Sequence, residues 1–476
     1  MLNLTKQLKI SSYPGIYDVI VPQTHILRKI RACVDFSFVN QLMIDCYCIA
    51  FGRPAKEPEL MLKLLFLKLL YDLSDREVIS RATTDLAFKY FLGLDPEDEL
   101  PHHSLLTKFR TMRLTEEKLN AFLKETVRQA IDKKLIKSTT IIVDSTHTRS
   151  KHTPQTPTQM LREMTKNLRY EIYKTQTEVS LLFPEKPGEE EDVHAEIEYT
   201  KKLVEYLETV ELTSEKAIKK LKSVKEVLAK PNLAELQSNQ DEDAKIGHKS
   251  EDADFFGFKN HLAMTEEGII VGATVTNGTA ADSKELEVLV EQAIDAGVEV
   301  QDVSGDKAFS TSDNIKFCKE KEINLISKLK DNVTTTEYED EHVWFNKDSG
   351  TYICKHGVLS SRRKPNKQGR YEYAFPGPKC RSCPYAKKCL GKNKVKRVWK
   401  NVDFEIFKEH KEFESTTHFK EKAKSRWKIE QRNAHLKNRY GLDKTYGTGL
   451  QSMRAQSILT SFTANIAKIT KLTEAA

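Results

Sequence analysis

Hydrophobic residues with helical spacing dominate the first part of the chain and predict an all-α domain over residues 1–125. Within it, Pro58 begins a run from Leu60 to Leu70. Leu and Phe are too frequent in this run for a one-sided stripe, so the helix is expected to be buried on all sides. Ser74 and Glu77 then have the spacing of a capping box, which predicts the start of another helix.

The hydrophobic period becomes strand-like at Ser138. The β-branched run from Thr139 to Val143 predicts a short buried strand that ends directly at Asp144. The elements that follow have the order of a mixed sheet with flanking helices, which predicts an α/β fold. They are strands at Phe256–Met264 and Ile269–Thr276, a helix at Ser283–Ala296, a strand at Val298–Ser304, a helix at Ser312–Lys321 and a strand at Asn324–Leu329.

Two insertions interrupt this sheet pattern. Residues 151–244 are charged and helical, and their apolar stripes predict two helices packed as an antiparallel hairpin. Residues 340–400 form a basic, cysteine-containing insertion, and helices at Thr417–Tyr440 and Leu450–Leu472 follow it. We therefore predict that the α/β core is assembled from residues 135–150, 245–335 and 415–476.

Composition and charge narrow the class of protein. With 39% hydrophobic and 30% charged residues the chain is expected to be globular, and it has no apolar run long enough to span a membrane. Its N-terminus has no apolar signal segment, so a cytoplasmic location is expected. The net charge is +7, with Lys and Arg crowded at 379–400 and 420–444. This distribution favours contact with nucleic acid, although an ordinary solvated surface fits the charge alone.

A basic helix in the N-terminal domain is a candidate for DNA contact. Lys108, Arg110 and Arg113 follow several short helices, an order similar to a helix-turn-helix DNA reader. A small helical bundle with a charged face fits the same pattern equally well.

Three carboxylates carry the candidate chemistry. Asp144 and Asp306 each follow a predicted strand, and Glu430 lies on a late predicted helix. Arg426 and Lys437 lie four residues before and seven after Glu430, so the three share one helical face. Such carboxylates suit two Mg²⁺ ions about 3.5–4 Å apart, an arrangement that activates the attacking oxygen and stabilises the leaving oxygen in phosphodiester cleavage. Arg426 and Lys437 are placed to grip phosphates.

Each of these residues also has an ordinary structural interpretation. Either Asp could cap the turn that follows it, and Glu430 could form a surface ion pair with Arg426 or Lys437. His147 and His261 border the same predicted sheet, but a single His is more often packed or hydrogen-bonded than functional. Trp427 is expected in the core rather than at a base-stacking surface.

The residues around these acids resemble the DDE transposases of bacterial insertion sequences, in the branch with a Tyr-Arg-Glu-Lys signature. Arg426, Glu430 and Lys437 match that signature, whereas Ala423 stands where its Tyr is expected. Segments 141–144, 303–306, 257–261, 432–437 and 439–442 are also similar to this family, and residues 73–77 and 90–94 resemble its N-terminal transposase domain. The resemblance covers nearly the whole chain except the helical insertion.

The resemblance implies a ribonuclease-H-like core that holds two Mg²⁺ or Mn²⁺ ions on Asp144, Asp306 and Glu430. It implies hydrolysis at each end of the element and transfer of the freed 3′-OH into target DNA. The expected partners are double-stranded DNA, as terminal repeats and target, and a second copy of the chain, because there are two ends to cut. No membrane is expected as a partner, and in a bacterial cell the protein would be nucleoid-associated when bound to DNA.

Four of the eight cysteines lie close together in the basic insertion. Cys380, Cys383 and Cys389, with Cys354 upstream, offer four thiolates for a structural Zn²⁺ ion, although only one pair has the usual short zinc spacing. His356 is a possible substitute ligand, and four free thiols are the alternative.

Three other functions compete with transposition. A ribonuclease-H-like nuclease or resolvase would cut DNA without joining it, and a transposase-derived protein could bind DNA without cutting. A zinc-dependent DNA-binding regulator is the third, but it leaves the two strand-end aspartates unexplained.

Overall fold

The computed structural model describes residue 13 and residues 15–48, 54–188, 192–238, 240–250, 253–335, 338–366 and 369–475. Residues 1–12 of the predicted N-terminal domain therefore lie outside the described ranges. The N-terminal region is helical, as predicted. Its helices are α1 (Ile16–Ile20), α2 (Ile26–Cys33), α3 (Phe38–Leu42), α4 (Pro58–Leu70), α5 (Asp75–Thr84), α6 (Leu86–Leu92), α7 (Ser104–Met112) and α8 (Glu116–Asp132).

The ends and burial of these helices follow from their sequences. α4 is buried around nearly its whole circumference, which confirms the prediction from its Leu-rich run. The predicted capping box begins α5: the Ser74 hydroxyl accepts from the Glu77 N–H, and the Glu77 carboxylate accepts from the Ser74 N–H.

A mixed sheet forms the α/β core and confirms the predicted fold class. Its strands lie in the order β2, β3, β1, β5, β6, and β4 also pairs with β3. β1 is antiparallel to β3 and parallel to β5, and β5 is parallel to β6. The strands are β1 (Thr140–Arg149), β2 (Lys245–Ser250), β3 (Ala253–Thr265), β4 (Ile270–Asn277), β5 (Asp302–Ser304) and β6 (Asn324–Ile326).

The first strand does not end at Asp144, so that part of the prediction is wrong. β1 continues to Arg149 because β3 is long enough to pair with it as far as Gly257. A side chain at Gly257 is excluded, since its Cβ would lie 2.1 Å from the Thr148 carbonyl oxygen. Asp144 therefore lies in the middle of a strand, and the residues before and after it both pair with β3.

The helical insertion between β1 and β2 contains a third helix besides the predicted hairpin. The hairpin is α10 (Val193–Glu208) and α11 (Glu215–Leu228), and α9 (Pro157–Thr175) packs against both. The three helices share apolar clusters that are separate from the main core, including Leu168, Leu203 and Leu221. The insertion therefore has a core of its own, and the boundaries 151–244 remain a prediction.

Helices cover the sheet as its hydrophobic pattern requires. α12 (Leu286–Asp295) packs against β3 and β4, and α13 (Ser312–Glu320) precedes β6 and packs against it. In the structure, the predicted strands at Val298–Ser304 and Asn324–Leu329 are both shorter. Only three residues of each strand are paired with a neighbouring strand of the sheet.

The cysteine-containing insertion forms a small β-rich module between β6 and the late helices. Its elements are β7 (Val343–Asn346), β8 (Thr351–Cys354), β9 (Ser361–Arg362), β10 (Arg370–Ala374), α14 (Gly377–Arg381), α15 (Ala386–Leu390) and β11 (Arg397–Asn401). β7 pairs with β8, and β9, β10 and β11 form a three-stranded sheet.

The late helical region is less continuous than predicted. The helix expected at Thr417–Tyr440 is divided into α17 (Thr417–Ala423) and α18 (Trp427–Tyr440) by a 3₁₀ turn at Lys424–Arg426. α16 (Phe404–Glu414) precedes them and packs against α13 and α17. The 3₁₀ turn places Arg426 at the N-terminal boundary of α18 and not in mid-helix.

The helix α19 (Leu450–Ala475) joins the N-terminal helices to the sheet. It packs against α2, α4 and α8 on one side and against β3 and β4 on the other. Both regions share one hydrophobic cluster, which runs from Leu27 to Ile469. Among the helices of the described ranges, none combines the length and the apolarity that crossing a bilayer requires.

Asn465 of α19 binds the backbone of the outer strand β4. Its amide nitrogen donates to the Ile270 carbonyl at 2.7 Å and to the Thr126 hydroxyl at 3.0 Å, and its oxygen accepts from the Ile270 N–H at 2.8 Å. The side chain is fully buried. It therefore satisfies strand groups that water cannot reach.

We predict that Asn465→Leu lowers the free energy of unfolding by about 2–4 kcal/mol, because it leaves the Ile270 N–H and carbonyl buried without partners. Urea unfolding followed by circular dichroism measures the change. The control is Lys471→Ala on the exposed side of the same helix, which should shift stability by less than about 0.5 kcal/mol. Equal stabilities of the two variants would contradict the role given to Asn465.

Candidate active site

Asp144 and Asp306 come from neighbouring parallel strands of the sheet. Asp144 lies in β1, opposite Leu262 of β3, and Asp306 follows β5 after Gly305. A Cβ at Gly305 would lie 2.9 Å from the Phe309 ring and 3.0 Å from Val143, so the turn that presents Asp306 requires glycine. The Asp306 carboxylate also caps this turn, since its Oδ1 accepts from the Ala308 N–H at 2.9 Å.

Glu430 lies on the first turn of α18, which packs against β1. Its carboxylate forms an ion pair with Arg426 at 2.7 Å. The side chains of Glu430 and Arg426 are about half and one-third exposed. The structure therefore contains the ion pair that the ordinary interpretation of Glu430 predicts, at the edge of the site formed by the two aspartates.

The three carboxylates influence one another electrostatically. Burial, together with the negative charges of Asp306 and Glu430, raises the pKa of Asp144 to about 6. A backbone hydrogen bond from Ser145 and the positive charge of Arg426 oppose this rise in the pKa. Two acids from distant parts of the sequence thus lie within interaction range of the buried Asp144 carboxylate.

This donor set fits divalent cations by its chemistry. Carboxylate oxygens are the ligands that Mg²⁺ and Mn²⁺ prefer, and mutual repulsion of the three acids favours a cation among them. In the described ranges, however, no three His, Cys, Asp or Glu side chains are already arranged to hold a metal ion. The donor set therefore fits divalent cations by its residue types and not by a preformed arrangement of the side chains.

Asn433 is a site residue that our sequence analysis missed. It lies one turn after Glu430 on α18, and its amide nitrogen donates to Asp144 Oδ2 at 2.9 Å. The side chain is 6% exposed, and its Oδ1 atom is buried without a hydrogen-bond partner. Its spacing of three from Glu430 and four from Lys437 was the available signal, because residues so spaced share a helix face.

Lys437 lies in a basic cluster near Asp144. Its Nζ atom is 3.4 Å from Nδ1 of His147, whose ring packs against Phe255. Burial and the nearby charges of Lys249 and Arg149 lower the pKa of Lys437 to about 8. Burial and the Lys437 charge lower the pKa of His147 to about 4, so this imidazole is neutral at pH 7. Lys249 and Arg149 are further basic residues that our sequence analysis missed.

The segment Gly257–His261 forms a hydrogen-bonded support for β1. Asn260 donates to the Thr148 hydroxyl at 2.7 Å, and the His261 ring contacts the Ser145 hydroxyl at 2.6 Å and the Thr276 hydroxyl at 2.8 Å. His261 is fully buried, and burial lowers its pKa. These contacts agree with its interpretation as a hydrogen-bonded structural residue.

Trp427 is 58% exposed, so its expected place in the core is wrong. It begins α18 beside Arg426, on the outer side of the helix. The buried face of α18 carries Ile429, Asn433 and Leu436, and Trp427 lies two residues before Ile429, which places it on nearly the opposite face of the helix.

The predicted DNA-contacting residues of α7 differ in their surroundings. Lys108 is exposed, whereas Arg110 forms a two-bond ion pair with Asp75 at 2.7 and 2.9 Å. Lys68 donates to the same carboxylate, whose pKa is held well below its usual range despite burial. The Arg113 guanidinium lies over the Tyr47 ring at 4.7 Å. Of the three, Lys108 is the side chain most accessible to a partner.

The four cysteines of the small module all line one cavity of about 30 Å³. His356, the possible substitute ligand, lines it as well, and all four thiols are free.

Two segments of the chain match models of known protein families. Residues 16–112 match a family model described as a transposase domain, DUF772. Residues 213–466, more than half of the chain, match the model of the transposase DDE domain. This match includes Asp306, Glu430 and Lys437, whereas Asp144 lies outside it. No curated protein matches the chain.

The two matches agree with the architecture of the chain. The helical α1–α7 region corresponds to the first family model, and most of the mixed sheet with the late helices corresponds to the second. Transposase families of this kind bind DNA, and DDE transposases generally use divalent metal ions. The chain therefore belongs to the DDE transposases of insertion sequences.

Proposed function

We propose that this transposase cleaves DNA at the ends of its insertion sequence and joins the freed ends to target DNA. Asp144, Asp306 and Glu430 are the proposed catalytic carboxylates and metal ligands. The observation that supports the proposal is the arrangement of the elements: β1 with Asp144 is parallel to β5, which Asp306 follows, and α18 with Glu430 in its first turn packs against β1.

The proposed reaction consists of two displacements at phosphorus. Water first attacks the phosphodiester at the element boundary, and the bond from phosphorus to the 3′ oxygen breaks, which leaves a 3′-OH and a 5′-phosphate. That 3′ oxygen then attacks a target phosphodiester, and a target 3′-OH departs. Divalent ions bound by the three carboxylates would supply the Lewis acidity for both displacements.

The other residues of the site orient the acids and hold DNA. Asn433 donates to Oδ2 of Asp144, and Arg426 pairs with Glu430 at the beginning of α18. Lys437, Lys249 and Arg149 repel one another, so a DNA phosphate between them would relieve the repulsion. We propose that Lys108 is the contact of the N-terminal helices with the terminal repeats. Arg110 and Arg113 lie in the same helical region and are less exposed. Because two ends must be cut, we propose that a homodimer holds them.

We predict that Asp144→Asn, Asp306→Asn and Glu430→Gln each abolish cleavage but preserve DNA binding, because each removes a carboxylate charge at nearly constant size. The assay is strand cleavage of a labelled duplex that carries the element's ends, with Mg²⁺ or with chelator. Asp331→Asn is the control, since this exposed carboxylate pairs with Lys307 next to Asp306.

The outcomes of that assay distinguish the candidate functions. Boundary cleavage and joining, both lost in the three variants, support the proposal. Cleavage without joining would favour a nuclease or resolvase, and specific binding without cleavage under any metal would favour a silent DNA-binding protein. Normal cleavage by any one variant would show that its residue is not catalytic.

We predict that Lys437→Ala weakens binding of element ends and reduces the slope of log affinity against log salt by about 1, because one phosphate contact is lost. The metal dependence of the residual cleavage should not change. Filter binding across a salt series measures the effect, with Lys219→Ala on the exposed surface of α11 as the control. A slope equal to that of the control would leave Lys437 as an ordinary surface residue.

We predict that Asn433→Leu raises the Mg²⁺ concentration needed for half-maximal cleavage about 10–100-fold, because Asp144 loses the donor that orients it. Affinity for DNA measured in chelator should stay the same, which separates this effect from a general structural defect. Asn438→Leu is a matched control, since Asn438 is an exposed residue of the same type on the same helix. Identical Mg²⁺ requirements of the two variants would refute the positioning role.

A further inference from the structure

The small module of residues 338–401 has little apolar interior for its length. Its buried cluster consists of five side chains, with Cys380 and Cys389 packed at its edge. The five are Val343, Tyr352, Tyr373, Phe375 and Val398. Small folds with so few buried apolar groups usually depend on a cross-link or a metal ion. In this module all four thiols are free, so no disulfide supplies that stabilisation.

The four thiols line one cavity of the module, and its volume is about 30 Å³. Cys354 lies in β8, Cys380 in α14 and Cys389 in α15, and these three side chains also pack at the edge of the buried apolar cluster. Cysteines from three separate elements thus border one small space.

The backbone around the thiols is folded into tight turns. The Gly357 N–H donates to the Cys354 carbonyl at 2.8 Å, and the Cys383 N–H donates to the Cys380 carbonyl at 3.4 Å. Gly357 has a positive φ of 73°, which completes the turn after Cys354. Such turns direct the thiols of Cys380 and Cys383 to the same side of the chain.

A second observation at this cavity also indicates a ligand. His342 lines the cavity and is 8% exposed, yet its Nδ1 atom is buried without a hydrogen-bond partner. Its ring stacks on Tyr385 at 5.3 Å, which fixes its plane. A buried imidazole nitrogen without a partner costs about 1–3 kcal/mol, so a group that pairs with it is expected at this position.

We propose that the module binds one structural zinc ion on the thiolates of Cys354, Cys380, Cys383 and Cys389, with His342 donating its Nδ1 hydrogen to one of these sulfur atoms. Four thiolates are a preferred tetrahedral set for zinc, and imidazole N–H groups that donate to the ligands stabilise such sets. Lys355 also lines the cavity and offsets part of the net negative charge of a zinc ion with four thiolates, whereas Lys396, which lines it as well, is paired with Asp340. This inference does not depend on the proposed cleavage reaction.

Zinc binding requires a small rearrangement of the side chains. In the described part of the chain, no three potential ligands already converge on a metal position. Rotation of a cysteine about its side-chain bond moves the sulfur without moving the backbone, and the cavity provides the room for it. The backbone positions therefore support the site, and the thiols close on the ion when it binds.

The test is the metal content of the full-length protein after dialysis, measured by inductively coupled plasma mass spectrometry. We expect about one zinc per chain in the unaltered protein and in Cys48→Ser, whose thiol lies outside the module. Cys380→Ser and Cys389→Ser should lose most of their zinc. Replacement of zinc by cobalt should give the intense visible absorption of tetrahedral thiolate coordination.

A second measurement tests the proposal even if the Cys variants fail to fold, because it uses only the unaltered protein. The folded, unaltered protein is titrated with a mercurial thiol reagent while a metallochromic dye reports zinc release, and release should parallel the modification of four thiols. A protein without zinc that takes up no cobalt, zinc retained in the Cys variants, or a disulfide among the four thiols would overturn the proposal. Because these measurements do not use DNA, they stay independent of the outcome of the cleavage assay.

Discussion

Burial of α19 between two layers is the constraint on which the rest of the structure depends. The helix packs on the N-terminal helices α2, α4 and α8 and on the sheet strands β3 and β4, so both regions share one hydrophobic core. Its contact with β4 includes two buried hydrogen bonds between Asn465 and Ile270, and a third joins Asn465 to Thr126 of α8. Since β4 pairs with β3, and β3 pairs with β1, this contact fixes the layer that carries Asp144. The N-terminal helices therefore have a fixed orientation relative to the active site.

The candidate site combines rigid and adjustable parts. Asp144 is held in the middle of a strand and by Asn433, and Asp306 is held by a turn that only glycine permits. Glu430 is different, since its half-exposed side chain pairs with Arg426 at the beginning of α18. The two aspartates are thus held by the strand and turn around them, whereas Glu430 is held by an exposed side chain. An ion pair of this exposure is worth roughly 1 kcal/mol or less, so under the proposed function a metal ion is expected to displace Arg426 from Glu430.

The sequence predicted the elements with strong periodicity and missed those whose residues are polar. The order of strands and helices around Asp144 and Asp306 was predictable because runs such as Thr139–Val143 are β-branched and buried. The continuation of β1 to Arg149 and the strand Lys245–Ser250 were not, because their pairing is set by β3 and their side chains alternate little in polarity. The proposed roles of the three acids were predicted from their spacing and from the family resemblance, and they stay a prediction. Asn433, Lys249 and Arg149 depend on contacts between distant segments, which periodicity does not reveal.

The position of α19 in the chain also has a consequence for the order of folding during synthesis. The partner of Asn465 in α8 is Thr126, which is 339 residues earlier in the sequence. At ordinary rates of about 5–20 residues per second, the ribosome completes the N-terminal helices tens of seconds before it delivers the helix that fills their core. During that interval the N-terminal helices can pack only on one another, and the faces of α2, α4 and α8 that α19 covers lack this native partner. Completion of the core that the N-terminal helices share with the sheet therefore waits for the synthesis of Leu450–Ala475.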